Sequence, residues 1–238
     1  MDRDVFLARP DEYDGGATLL LGSEAFRDGG TNVWARFLAS TAIPATRIDS
    51  RASTPQTILD SLSNHRQLEY LFVKHGNYSD LSPLAGLPNL TSLSLGHATK
   101  VSTIAALASL PALEFLRVSG AFSVLDLTPL AALVNLKELH YGNDYPGSDK
   151  MLEVKSFDWV RTLMRLEVLD FPGTRILEPD FSALLALPRL RELSFPLRRS
   201  YRAQVFSLAK QNSAFAGLAQ SYLGYEAMRL RLREQGDA

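Results

Sequence analysis

One phrase recurs inside the stretch Asp80 to Asn143 and constrains everything around it. NLTSLSL, ALEFLRV and NLKELHY share a frame with apolar residues at offsets 0, 3 and 5. The frame runs well beyond that stretch. Its lead residues are Leu68, Leu90, Leu113, Leu136, Leu166 and Leu190, spaced 22, 23, 23, 30 and 24 apart. Offset 3 is leucine throughout: Leu71, Leu93, Leu116, Leu139, Leu169 and Leu193. Offset 5 holds Val73, Leu95, Val118, Tyr141, Phe171 and Phe195. All eighteen positions are apolar, which chance does not produce in a chain that is 46% hydrophobic. A fixed period of this length marks a stack of supersecondary units, because one unit cannot bury its own apolar stripe.

Offsets 3 and 5 lie two residues apart, so each frame is a short strand with both side chains turned inward. The longer half of each unit carries a second ladder, for example Val101, Ile104, Leu107 and Leu110. Its spacing of about three residues suits a 3₁₀ turn on the opposite side. The expected class is α/β, with a parallel sheet on one face and short helices or 3₁₀ turns on the other.

At this point the chain resembles the leucine-rich repeats, over about Leu68 to Leu197. The unit length near 22 and the phrase LSPLAGLPNL are most similar to the short internalin type, also seen in phosphatase regulatory subunits. The resemblance implies a curved solenoid with its strands on the concave face. It also implies an asparagine, or a cysteine, three residues after offset 5, bonding the backbone inside the turn. Here those positions are Gly76, Ala98, Ala121, Asp144, Thr174 and Arg198, so the asparagine ladder is missing and backbone or water must satisfy those groups.

The flanks divide the chain into an N-terminal part (1–64), the repeats (65–199) and a helical C-terminal cap (200–238). In the first part Thr18 to Leu21 reads as a strand. Thr31 is expected to cap a helix to about Ser40, with Val33, Trp34, Phe37 and Leu38 on one face. Thr46 to Asp49 reads as a second strand. Thr54 and Pro55 read as a helix start above the stripe Ile58, Leu59 and Leu62. These units are expected to extend the sheet as degenerate repeats. Their register is open, since Ile48 fits offset 3 or offset 5. The 30-residue repeat holds an insertion around GNDYPGSDKMLEVKSFDW, placed on a loop at one edge. Beyond Pro196, residues Val205, Leu208, Phe215, Leu218, Ala219, Tyr222 and Leu223 form one apolar face, as a solenoid end requires.

A net charge of −1, from 25 basic and 26 acidic residues, gives no nucleic-acid footprint. The chain has no cysteine, hence no disulfide and no thiolate metal site. No run of signal-peptide or membrane-span length occurs, and the expected location is the cytoplasm.

Function then rests on the side chains between the inward positions. Offset 2 presents Tyr70, Ser92, Phe115, Glu138, Val168 and Glu192, and offset 4 presents Phe72, Ser94, Arg117, His140, Asp170 and Ser194. Aromatic and arginine anchors in a polar surround are what protein interfaces use. The expected partner-binding residues are Tyr70, Phe72, Lys74, Phe115, Arg117, His140, Asp170 and Glu192, joined by the loop Asn143 to Lys150. The reading is a non-enzymatic module that binds another protein, as a monomer or weak homodimer, with no cofactor, metal, nucleic acid or membrane. A regulatory or immunity-type protein that masks a toxin or enzyme is its specific form. Two alternatives stand beside it. One is a small hydrolase or metal site around His140, or around the neighbouring His75 and His97. The other is a structural homodimer through the concave strip. Against catalysis, no strained nucleophile turn accompanies Ser92, Ser94 or Ser194. The two DGG motifs lack the lysine of a phosphate loop and read as turns, and the arginines Arg229, Arg231 and Arg233 read as a solvated helix end.

Overall fold

The computed structural model describes residues 5–143 and 149–236, and the side chains of 5–143 and 149–233. Its main feature is an eight-stranded parallel sheet whose strands lie side by side in chain order. The strands are β1 (Thr18–Leu21), β2 (Arg47–Pro55), β3 (Tyr70–Asn77), β4 (Ser92–Leu95), β5 (Phe115–Ser119), β6 (Glu138–Gly142), β8 (Val168–Asp170) and β10 (Glu192–Ser194). Offset 3 of each repeat pairs with offset 3 of the next, from Leu71 beside Leu93 through Leu169 beside Leu193. All eighteen frame residues are buried. At roughly 1.5–3 kcal/mol per buried aliphatic or aromatic side chain, this ladder outweighs any local propensity. 3₁₀ turns at Ser82–Gly86, Ala105–Ser109, Thr128–Ala132, Asp158–Thr162 and Ser182–Ala186 occupy the longer half of the repeats. Three of them are preceded, two residues earlier, by an aspartate whose carboxylate accepts the backbone N–H of the first turn residue: Asp80 from Ser82, Asp126 from Thr128 and Asp180 from Ser182.

The first two strands join the same sheet, and Ile48 pairs with Leu71 and Leu19. Ile48 is therefore an offset-3 residue and Ser50 occupies offset 5. Helix α1 (Gly30–Ser40) follows a left-handed Gly29 at φ 87°. Trp34 and Leu38 are buried, but Val33 is exposed, so the inner face is narrower than the sequence suggests. Thr31 does not cap the helix. Its hydroxyl donates instead to the Phe26 carbonyl, at 3.4 Å. Thr54 and Pro55 do lead into the next helix, one residue later than expected: α2 runs Gln56–Ser61 and Pro55 is its N-cap rather than its first residue. Ser53 to Pro55 pair with His75 to Asn77, so sheet pairing claims both residues before the helix starts. Thr54 is buried there, its hydroxyl 2.7 Å from that of Ser50.

The missing asparagine ladder is replaced by backbone geometry. Two residues after offset 5, the chain enters the left-handed region at His97 (φ 48°), Gly120 (φ 76°) and Gly173 (φ 57°). Repeats then bond directly, with Ala98 N donating to Ser119 O at 2.8 Å and Gly120 N to Gly142 O at 3.0 Å. In a later repeat the Thr174 hydroxyl donates to the Pro172 carbonyl at 3.2 Å. This turn brings backbones so close that a Cβ at Gly96 would sit 2.0 Å from the Lys74 carbonyl oxygen.

The insertion adds β7 (Leu152–Val154), which pairs in parallel with β9 (Thr174–Ile176) as a separate two-stranded sheet. Positions 144–148 of the expected binding loop, Asp144 among them, lie outside the described residues. The sheet ends under two helices, α3 (Arg199–Leu208) and α4 (Ser213–Gly236). Every residue expected on their inner face is buried except Leu223, which is exposed. Beneath them Phe181 and Phe195 stack at 4.8 Å, and the Tyr201 hydroxyl accepts from Ile176 N at 2.9 Å.

Candidate binding face on the concave sheet

Because the side-chain period of a strand is two, offsets 2 and 4 leave the sheet opposite to the buried ladder. Strands about 4.8 Å apart turn each offset into a row, roughly 34 Å long over eight strands. With the register known, the rows begin earlier than the repeats do. Thr18 and Arg47 precede Tyr70, and Leu20 and Asp49 precede Phe72.

Five of the expected binding residues meet over β4. Tyr70, Phe72, Lys74, Phe115 and Arg117 line a depression of about 570 Å³, with Ser92 and Ser94 between them and Gly96, His97 and Ser119 at one end. The two serines form its floor: each lies in register between large neighbours, Ser92 between Tyr70 and Phe115, and Ser94 between Phe72 and Arg117. Lys74 and Arg117 are exposed, and the three aromatic rings are half-buried. Among the described residues no carboxylate lines this depression.

The other three expected residues form a second group. His140, Asp170 and Glu192 line a depression of about 380 Å³ together with Val168, Arg191 and two residues of α4, Ala214 and Gly217. Val168 was expected to be exposed on this face and is instead buried, at 8% exposure. The start of α4 lies beside this end of the sheet and takes its place in the wall. His140 sits between two carboxylates, with Nδ1 3.2 Å from Asp170 Oδ2 and Nε2 3.7 Å from Glu138 Oε2. Its ring centre is 5.5 Å from that of Phe115, which links the two groups. Burial works against ionisation of Asp170, but hydrogen bonds from His140 and Ser194 and the charges of His140 and Arg117 outweigh it. Its carboxyl is held below the ordinary value. Ser194 thus bonds the carboxylate, where a nucleophile relay needs its hydroxyl on the imidazole.

His75 and His97 do come together, ring centres 6.5 Å apart. Burial, the Lys74 charge and His97 lower the pKa of His75. Among the described residues no group of three or more metal-ligating side chains assembles, and none of the helices there is long and apolar enough to cross a membrane.

Three contributors at the N-terminal side were missed from sequence. The Arg47 guanidinium lies 3.5 Å from the centre of the Tyr70 ring. Arg51 grips Asp49 through two bonds of 2.8 and 2.9 Å and lies 4.8 Å from the Phe72 ring centre. The register of Ile48 would have revealed them, since it decides which residues of β2 face outward.

No protein-family model matches the chain, and no curated protein matches it by sequence. Solved structures do. An internalin (InlF) from Listeria monocytogenes superposes with a TM-score of 0.56 at 20% identity, over 75% of this chain and 54% of that one. A leucine-rich-repeat protein from Leptospira interrogans gives 0.51 at 15% identity, with the same coverage of 75% and 54%. This chain spans about half the length of each. Its fold is that of an internalin-like leucine-rich-repeat solenoid with a helical C-terminal cap.

Proposed function

We propose that this protein is a non-enzymatic module that captures another protein on its concave sheet face. One observation carries the reading: Tyr70, Phe72 and Phe115 keep half-exposed rings beside Arg117 around one open depression. Aromatic and arginine anchors in a pocket with a polar surround concentrate binding energy at interfaces. Their strands are fixed by the buried ladder, so little ordering opposes association. The similar solved structures are consistent with such a role through their fold alone.

The double variant Phe115→Glu with Arg117→Glu tests this. Both side chains point away from the core, so its circular dichroism should match that of the parent. Capture of a specific protein from cell lysate should be lost. Unchanged capture would overturn the concave-face reading. Identification of the captured protein also decides whether a regulatory or immunity-type role, masking a toxin or enzyme, applies.

A further inference from the structure

We infer that the depression over β4 is a slot for a single aromatic side chain of the partner with a carboxylate next to it, an acidic–aromatic anchor. The inference rests on the protein-binding reading above and specifies its centre. Width comes first. Ser92 and Ser94 are short, and the large residues on either side of them stand on β3 and β5. Those strands are two spacings apart, about 9.6 Å. A flat ring touching a wall on each face needs about 7–8 Å. One ring therefore fits, with Phe72 and Tyr70 on one side and Phe115 and Arg117 on the other, where the guanidinium meets its π-face.

Charge supplies the second half of the anchor. Lys74 and Arg117 line the slot and no described carboxylate does. Ser94 is only 7% exposed, yet its hydroxyl bonds no described residue. A purely apolar occupant would bury that donor unpaired and desolvate the ammonium of Lys74, whereas a carboxylate can meet both. A basic occupant meets the like charge of Lys74, which provides discrimination as well as affinity. The slot continues along the rows, toward Arg47 and Arg51 on one side and His140 on the other. That continuity suits an extended segment of a protein.

The test titrates three capped dipeptide amides, aspartyl-tyrosine, lysyl-tyrosine and aspartyl-alanine, into the ¹⁵N-labelled protein. Aspartyl-tyrosine should shift the amides of Ser92 and Ser94, and the other two should bind at least about tenfold more weakly. Ser92→Phe, which fills the slot and leaves the buried face unchanged, should abolish the shifts. Lys74→Glu should weaken them by about tenfold. Equal binding of lysyl-tyrosine, shifts that survive Ser92→Phe, or no shift at β4 with any peptide would overturn the slot. If the slot fails in this way while the Phe115 and Arg117 double variant still loses its captured protein, the binding-face reading stands without it.

Discussion

The two ends of the concave face share one buried frame and present opposite chemistry. From β2 to β5 the outward rows carry Arg47, Tyr70, Phe72, Phe115 and Arg117 over a serine floor, with Asp49 neutralised by Arg51. From β6 to β10 they carry Glu138, Asp170 and Glu192 around His140, and α4 enters the wall. The inward residues of both ends are the same kind of buried aliphatic and aromatic ladder. Stability is written on the inward residues, and the proposed recognition falls on the alternate, outward residues of the same strands. The outward rows can change their chemistry from end to end without disturbing the stack.

The sharpest way to break this division is to substitute neighbours. Leu116 is fully buried and Phe115, beside it, faces out. Leu116→Ala should cost about 2–5 kcal/mol in urea unfolding, from lost transfer energy and the cavity left behind. Phe115→Ala should cost no more than about 1 kcal/mol while weakening partner capture. Equal losses of stability would mean that the outward row is also structural.

A smaller effect distinguishes the acidic end. The folded state holds the Asp170 carboxyl below its ordinary value, so it binds protons more weakly than the unfolded chain. Its stabilising contribution is complete above the unfolded pKa near 3.9 and is lost as pH falls from there through the lower folded value. Because the group is partly exposed, the effect is well under about 1 kcal/mol. Carbon-detected titration of Asp170 should show an upward shift of its pKa in His140→Ala. No shift would separate the pair and leave the acidic end without its internal link.

The inward ladder was legible because it obeys a period, and a period survives ignorance of every partner. All eighteen positions fall where the frame puts them. The outward residues of β3 to β6 followed from it by simple alternation. What escaped has specific physical causes. Val168 obeys the alternation but is buried beside a depression whose wall includes Ala214 and Gly217, more than forty positions on in the chain, so no local pattern announces its burial. Arg47, Asp49 and Arg51 lie on a strand without the leucine frame, and a one-residue change of register turns every side chain to the other face. Thr54 and Pro55 carry a good helix-start signal, and pairing with β3 only moves the first helical residue on to Gln56. The left-handed His97 occupies a position where glycine is the usual signal, which hides the turn that replaces the asparagine ladder.

The central claim is that the aromatic and cationic end of the concave face is where a partner sits. A photo-reactive phenylalanine analogue placed at Phe72 on that face, and separately at Val134, an exposed position beside the Thr128–Ala132 turn on the opposite side, tests it in living cells. A discrete cross-linked protein from position 72 and none from position 134 is the predicted result. Cross-linking from position 134 alone, or from neither position, would contradict it.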